Sequence, residues 1–380
     1  MKLFLDCSLL SIGGGIQVGL SIIQNIVHDP DIETIVVCTP QIDAQLDGFS
    51  KQNLKAYHVV PNVPFYKKRD QGNYIRQLEH EHKPDLVFTV FGPSYWRSET
   101  KNIQGFALGK MLYPEIRKFY PSQLSRFKES IFDWVKQKFF FKNVDNFLVE
   151  TEVVKARLVD RFNISPQNIY VISNTYSPAF EQRLQERKKH IFADQSTITL
   201  FVPASFYVHK NLLILPKVLA ELKKLNDKKV ILKFTVPMNS HGWQEISRVA
   251  AEYGVLEQIT TVGHVPNHLI CDEYLASNFV LCPSLVESST AVFPESFIAE
   301  RPLLVSDRDF ARSLCEDAAV YFDPLDAVDI ACKIDVLMSD QQLQNKLIGS
   351  AARVLHKNYL SPTEKWEQQR ILLKKLASSQ

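Results

Sequence analysis

Several large functional classes find nothing to stand on in this 380-residue chain. No run approaches the roughly 18 apolar residues of a membrane-spanning helix, so no helical span is expected. The six cysteines (Cys7, Cys38, Cys271, Cys282, Cys315, Cys332) include no C-x-x-C pair, and no Cys/His cluster has zinc-ligand spacing. That excludes zinc-finger and thioredoxin-like chemistry, and the thiols read as reduced core residues of a cytoplasmic protein. A net charge of +2 supplies no chain-wide attraction for nucleic acid, so any basic surface has to be local. There is no short internal repeat and no low-complexity segment. His209, His241, His264 and His268 fall at loop or helix-start positions and complete no triad, and neither G-x-S-x-G nor H-E-x-x-H occurs.

What is present is an alternation of short apolar runs with amphipathic stretches. The length exceeds one typical core, so two domains are expected. The N-terminal MKLFLDCSLL reads as a first buried strand rather than a signal peptide, because Asp6 interrupts its apolar run and no small-residue cleavage site follows. Strands are expected at 2–7, 35–38, 56–60, 85–91, 146–150 and 169–173, with helices at 16–28, 73–81, 121–139 and 152–162 between them. After a polar stretch at 177–196, read as a linker, a second series places strands at 198–203, 230–236, 259–262, 279–282, 303–305 and 320–322. The pattern predicts an α/β chain of two Rossmann-like doubly wound domains, residues 1–180 and 190–360, facing a cleft. A final amphipathic helix within 361–380 has no strand after it and could pack back on either domain, with the first as the candidate.

Five stretches are suited to chemistry. Gly13-Gly14-Gly15 follows the first strand and opens a helix, where backbone approaches a ligand closely. It is not a dinucleotide fingerprint, since position 18 is Val18, and no Gly-Lys-Ser/Thr makes it a P-loop. His209-Lys210-Asn211 sits between a strand and a helix, where an ammonium can meet a phosphate. Glu287 and Glu295 stand eight positions apart across a strand-end loop rich in hydroxyls (Ser288, Ser289, Thr290) and the next helix. Near a helix start a carboxylate gains about 0.3–1 kcal/mol from the dipole. Phe91-Gly92-Pro93-Ser94-Tyr95-Trp96 forms a turn at a strand's C-terminal end, with Ser94 and Tyr95 as candidate sugar contacts. Residues 110–142 carry eight Lys/Arg against three Asp/Glu, with apolar residues at helical spacing, as in a basic amphipathic helix on an anionic membrane. Asp307-Arg308-Asp309 has the form of a D-x-D metal motif but begins a helix, where Asp is a routine N-cap. For each stretch the plain alternative is a surface or packing role.

Taken in order and spacing, these stretches resemble the retaining glycosyltransferases of the GT-B fold that carry the E-x7-E signature (glycosyltransferase group 1, family 4 type). The resemblance rests on the glycine turn, Val171 to Thr175, His209-Lys210-Asn211-Leu212, Gly263-His264-Val265, PSLVE running into Glu295, PLLVSDRDF and AAVYFDP. It is strongest between Ile198 and Asp329, and the subgroup it resembles most makes bacterial surface polysaccharides such as O-antigen or capsule. It implies transfer of a hexosyl or N-acetylhexosaminyl group from a nucleotide-diphosphate sugar to a lipid-linked or oligosaccharide acceptor. Lys210 would neutralise the diphosphate. Backbone N–H groups of Ser289, Thr290 and Ala291 would hold the distal phosphate. Glu295 would take the ribose, Glu287 the transferred sugar, and Val265 would lie near the base. Gly14 and Gly15 would let the first domain approach the diphosphate. No metal or other cofactor is implied.

Three departures stand out. The family's Gly-Arg before the lysine is Ala204-Ser205, so one phosphate-binding arginine is missing, and Ser289, Thr290, Arg308 or another base is left to substitute. The usual Gly-Phe-Gly is Ser288-Ser289-Thr290, and no histidine lies within Phe91–Met111, so no catalytic base is assigned. A nucleotide-sugar epimerase of the same fold and a non-catalytic sugar-nucleotide-binding protein remain as alternatives. The expected location is cytoplasmic, peripheral on the inner membrane face through residues 110–142.

Overall fold

The computed structural model describes residues 1–11, 13–187 and 197–378. The chain divides into two compact units. Unit 1 comprises residues 1–112, 121–172 and 363–380, and unit 2 comprises 113–120 and 173–362.

Unit 1 is built on a parallel sheet of seven strands: β1 (Lys2–Cys7), β2 (Glu33–Cys38), β3 (Ala56–Val59), β4 (Leu86–Thr89), β5 (Asn102–Gly105), β6 (Asn146–Val149) and β7 (Ile169–Val171). Their spatial order is β3-β2-β1-β4-β5-β6-β7. Unit 2 carries six parallel strands: β8 (Ile198–Val202), β9 (Val230–Phe234), β10 (Ile259–Thr261), β11 (Phe279–Cys282), β12 (Leu303–Ser306) and β13 (Ala319–Phe322), in the order β10-β9-β8-β11-β12-β13. Both are doubly wound α/β sheets. The order reverses between β1 and β4 in one and between β8 and β11 in the other, and the C-terminal ends at such a reversal form a ligand crevice. The central strands are mostly apolar, Asp6 of β1 excepted, because helices cover both faces.

Strand β5 was not expected from the sequence, and the reason is chemical. Its residues NIQG are all buried, yet two of the four are polar. The Asn102 side chain donates to Asp145 at 2.8 Å, and Gln104 Oε1 accepts the Ser94 amide at 2.8 Å. A Cβ on Gly105 would lie 1.9 Å from the Val90 carbonyl oxygen, so only glycine fits. The linker reading is also corrected. Pro178–Arg187 is a helix, with Phe180 and Leu184 (i, i+4) buried and Arg183 paired with Asp272 at 2.7 Å. The rest of the expected linker, 188–196, lies outside the described residues.

The last helix, Pro362–Ser378, belongs to unit 1 from Thr363 onward. It buries Leu372, Leu373 and Leu376, and its Lys365 pairs with Glu150 at 2.7 Å, Arg370 with Asp29, and Lys374 with Asp31 at 2.7 Å. Five cysteines are buried, whereas Cys332 is exposed and so is no core residue. No described helix is long and apolar enough to cross a membrane.

Candidate active site

The charged loops of unit 2 leave the C-terminal ends of β8 and β11, the two strands that flank its reversal of order. The β8 loop ends in a tight turn, Val208–Lys210. Asn211 follows in the left-handed region (φ 55°), a conformation asparagine tolerates, and its amide donates to the Pro324 carbonyl at 2.7 Å. The His209 carbonyl accepts the Leu285 N–H at 2.7 Å, which ties this loop to the β11 loop. Across that junction Lys210 Nζ donates to Glu287 Oε1 at 2.5 Å. The two side chains are 17% and 8% exposed, so the pair is buried. Burial by itself lowers the Lys210 pKa, but attraction to Glu287 outweighs it and the net shift is upward. Lys210 is therefore an ammonium held by a carboxylate, with N–H donors to spare. Glu287, read from sequence as a loop carboxylate, is a buried half of this pair.

The next turn presents donors with nothing to bond. Ser289 Oγ is enclosed and has no hydrogen-bond partner. The backbone N–H groups of Ser289, Thr290 and Ala291 find no acceptor among the described residues. Thr290 differs, because its hydroxyl already accepts the Val292 N–H at 3.3 Å. Unpaired enclosed donors beside an ammonium suit an anion.

Glu295 sits on the seven-residue helix Val292–Ile298 and is 7% exposed. Its carboxylate accepts the Tyr274 hydroxyl at 3.0 Å. Tyr274 is fully buried between Phe180 and Phe201, with ring centroids at 5.3 and 5.0 Å. Burial pushes the Glu295 pKa up to about 7, against the opposing Tyr274 bond. The expectation of a dipole-favoured carboxylate is thus corrected, since desolvation in this short helix outweighs it. Val265 lies half-buried in the loop after β10, the edge strand two places from β8.

In unit 1, Gly13 caps the helix Gly14–Ile26 at φ 65° and is the position whose backbone requires glycine. A Cβ on Gly14 would meet nothing within 4 Å, and one on Gly15 would touch Leu10 at 3.4 Å. Ile12 of that turn lies outside the described residues. Ser94, expected as an acceptor contact, lines the small pocket at the end of β1 and is bonded within its own turn. It is 4% exposed, its hydroxyl donates to the Trp96 carbonyl at 2.8 Å, and its own carbonyl accepts Asn143 at 2.9 Å. Tyr95 is half-buried, edge-on to Phe65 and Phe139 at 5.7 and 5.1 Å, with the Lys68 ammonium 6.0 Å from its ring.

Sequence reasoning passed over Asp6 and Lys68. Asp6 is 1% exposed and accepts Trp96 Nε1 at 3.0 Å and the Ser8 N–H at 2.9 Å. With Lys68, Gln71, Ser94 and Tyr95 it lines a small pocket of about 10 Å³, room for little more than one water, at the β1/β4 reversal. A charged residue ending the first strand of a doubly wound sheet was the available signal.

The Asp307 and Asp309 carboxylates serve the fold. Asp307 takes Arg312 through both oxygens at 2.7 Å, and Asp309 accepts the Tyr113 hydroxyl at 2.7 Å. The N-cap is Arg308, not an aspartate, and Arg308 donates to the Asp307 carbonyl at 2.9 Å. Among the described residues no group of three His, Cys, Asp or Glu is placed to hold a metal ion.

Residues 182–354 match the family described as Glycosyl transferases group 1. No curated protein matches the chain. Among solved structures it is similar to sucrose-phosphate synthase from Thermosynechococcus elongatus (TM-score 0.77, 15% identity, 100% of both chains covered). It is also similar to Anabaena Alr3699/HepE in complex with UDP and glucose (0.72, 14%, 99% of this chain and 100% of that one). WaaG, a glycosyltransferase involved in lipopolysaccharide biosynthesis, matches with TM-score 0.71 and 13% identity over 97% of this chain and 99% of that one. These structures share the two-sheet GT-B architecture. On the matched domain and that fold, the chain is a glycosyltransferase of GT-B type.

Proposed function

We propose that the enzyme is a retaining glycosyltransferase that uses a nucleotide-diphosphate sugar and acts on a lipid-linked or oligosaccharide acceptor in bacterial surface-polysaccharide assembly. The observation that carries the reading is the Lys210–Glu287 pair closing the β8 and β11 loops beside the unpartnered Ser289 hydroxyl. That UDP and glucose occupy the Anabaena protein supports a nucleotide-sugar donor here.

In this reading the Lys210 ammonium is shared between Glu287 and the diphosphate. Ser289 Oγ and the N–H groups of residues 289–291 bind the distal phosphate, and Glu287 orients the hydroxyls of the transferred sugar. Glu295 accepts the ribose hydroxyls, Val265 lies near the base, and Gly14 and Gly15 leave backbone room on the acceptor side. Stabilising charge on the departing diphosphate is then the main catalytic term, and the leaving phosphate helps remove the acceptor proton. No metal is assigned a step. Of the groups weighed for the missing arginine, Ser289 is favoured because its enclosed hydroxyl has no partner within the protein; the Thr290 hydroxyl, which accepts from Val292, keeps its own proton to donate beside it, and Arg308 donates to the Asp307 carbonyl.

The helix Gln123–Lys142 supports a membrane-borne acceptor. Leu124, Phe127, Ile131, Phe132 and Trp134 are 46–64% exposed on it. Arg126, Lys128 and Lys138 are exposed with them, while its acids Glu129 and Asp133 turn inward to Lys110 at 2.6 and 3.8 Å. An apolar, basic and acid-free face suits anionic lipid. We place the enzyme on that ground at the cytoplasmic membrane surface.

The test is Ser289→Ala. A lost hydrogen bond to a phosphate is worth about 1.5–3 kcal/mol, so donor KM should rise roughly ten- to a hundredfold with the fold unchanged. A Ser289→Ala enzyme with wild-type donor KM in sugar transfer or UDP-sugar hydrolysis would overturn the phosphate assignment.

A further inference from the structure

The loop between β4 and β5 is wrapped around a buried carboxylate. Glu79, 3% exposed, accepts the Ser98 hydroxyl at 2.5 Å and the N–H groups of Glu99 and Thr100 at 3.1 and 3.0 Å. These bonds fix the loop to the helix Lys68–His82. Arg76 lies three residues earlier on that helix, on the same face as Glu79. Arg76, Arg97 and Lys101 line a cavity of about 420 Å³, with Glu99 and Asp145 as its acids.

Most of these charges are committed. Arg97 donates to Asp145 at 3.1 Å and to the Lys142 carbonyl, and Asp145 also accepts Asn102 at 2.8 Å. Glu99 lies toward His80, at 3.5 Å. Arg76 is not committed. Its Nε is enclosed without a hydrogen-bond partner, and its guanidinium makes no ion pair among the described residues. An enclosed guanidinium N–H without an acceptor is unfavourable until one arrives, and the group's fork of donors matches two oxygens of one anion.

We propose that this cavity binds a phosphoryl group, with Arg76 as the fork donor and Arg97 and Lys101 adding positive potential. The site lies where the chain enters β5 and β6, at the opposite end of the sheet from the β1/β4 reversal. It is therefore separate from the Asp6–Lys68 pocket. The Arg97–Lys142 bond sets it at the C-terminal end of the helix Gln123–Lys142. The phosphoryl group belongs either to a phospholipid headgroup or to a free phosphate. The lipid source rests on the membrane reading of that helix; the phosphoryl chemistry does not.

The experiment is thermal unfolding of the full chain against inorganic phosphate, for wild type, Arg76→Gln and Arg76→Lys. Phosphate should raise the wild-type Tm, with apparent affinity about ten- to a hundredfold weaker in Arg76→Gln and intermediate in Arg76→Lys. Without phosphate, Arg76→Gln should melt no lower than wild type, since no bond is lost. Ser289→Ala should keep the Arg76-dependent shift, which separates this site from the donor site. Equal shifts in wild type and Arg76→Gln, or no shift in either, would overturn the proposal. Vesicles of phosphatidylcholine with about one-fifth phosphatidic acid, or phosphatidylglycerol at matched charge, identify the source. A preference for phosphatidic acid that Arg76→Gln abolishes supports the headgroup. An Arg76-dependent phosphate shift without that preference supports a free anion.

Discussion

Replacing one member of the Lys210–Glu287 pair tests both the architecture and the chemistry of the site. Glu287→Gln leaves the Lys210 ammonium, 17% exposed, without its carboxylate; Lys210→Met leaves Glu287, 8% exposed, without its cation. Stranding a buried charge costs about 3–5 kcal/mol. In a domain of this size each kcal/mol lowers Tm by roughly 2–4 °C, so each single variant should lose about 6 °C or more. The double variant Lys210→Met/Glu287→Gln removes both charges and should return to within about 2 kcal/mol of wild type. Because the Lys210 pKa is raised, its stabilising charge is fully present below its ordinary 10.5 and is lost only as pH rises through the higher folded value, so the cycle can be run near neutrality. Urea unfolding gives the stabilities, and turnover of a UDP-sugar gives the activity. Activity should be absent in all three variants, including the refolded double. Additive single effects, with coupling below about 0.5 kcal/mol, would mean the charges do not sense each other. A double variant that transfers sugar at the wild-type rate would remove both groups from the chemistry.

Glu295 makes stability fall with rising pH. Its folded pKa of about 7 exceeds the ordinary 4.5, so the folded state holds the proton more tightly. The contribution, at most about 3 kcal/mol, is fully present below pH 4.5 and lost as pH rises through about 7. Glu295→Gln should flatten that slope in unfolding titrations, and an unchanged slope would assign it to another group. On the helix Gln123–Lys142, Phe127→Ser and Trp134→Ser remove rings that are 64% and 55% exposed. Folding should be unaffected, while affinity for anionic vesicles falls about tenfold or more per ring. Wild-type protein that fails to bind such vesicles at low salt would sink the membrane reading.

The doubly wound architecture was legible because most buried parallel strands are continuous in apolar residues. Lys2–Cys7 and Phe279–Cys282 read to the residue for that reason, as did the helix Glu152–Phe162 from its amphipathic spacing. Strand β5 escaped because Asn102 and Gln104 earn their burial by hydrogen bonds rather than by being apolar. The helix Pro178–Arg187 escaped because four of its ten residues are charged, and only Phe180 and Leu184 reveal the buried face. In the site, residue types and order were visible, but partnerships were not. Lys210 and Glu287 lie 77 positions apart, and no local spacing reveals that they bond. Likewise the hydroxyls of Ser289 and Thr290 look equivalent in sequence, and only the Val292 N–H distinguishes them.

The reversal of strand order explains why this pair forms. Strand β8 starts the unit 2 sheet, and β9 and β10 extend it on one side before β11 adds on the other. The loops after β8 and β11 therefore diverge to opposite faces above adjacent strands, leaving a gap between them. A cation on one loop and an anion on the other close that gap, and the His209–Leu285 bond sets their spacing. A gap closed by hydrophobic side chains would be as stable or more so. Retaining a buried ion pair there makes sense when the cation must be positioned, charged and still have N–H donors to offer a diphosphate. The same reversal in unit 1 has Asp6 at the end of β1 and Lys68 facing the same pocket. Burial lowers the Lys68 pKa, with attraction to Asp6 opposing it. Each sheet thus sets opposite charges where its topology opens a crevice, but the unit 2 pair is in direct contact, whereas Lys68 bonds Gln71 at 3.1 Å and Asp6 bonds Trp96. Under the proposed reading, the unit 2 pair is the one that keeps a full positive charge in place for a diphosphate.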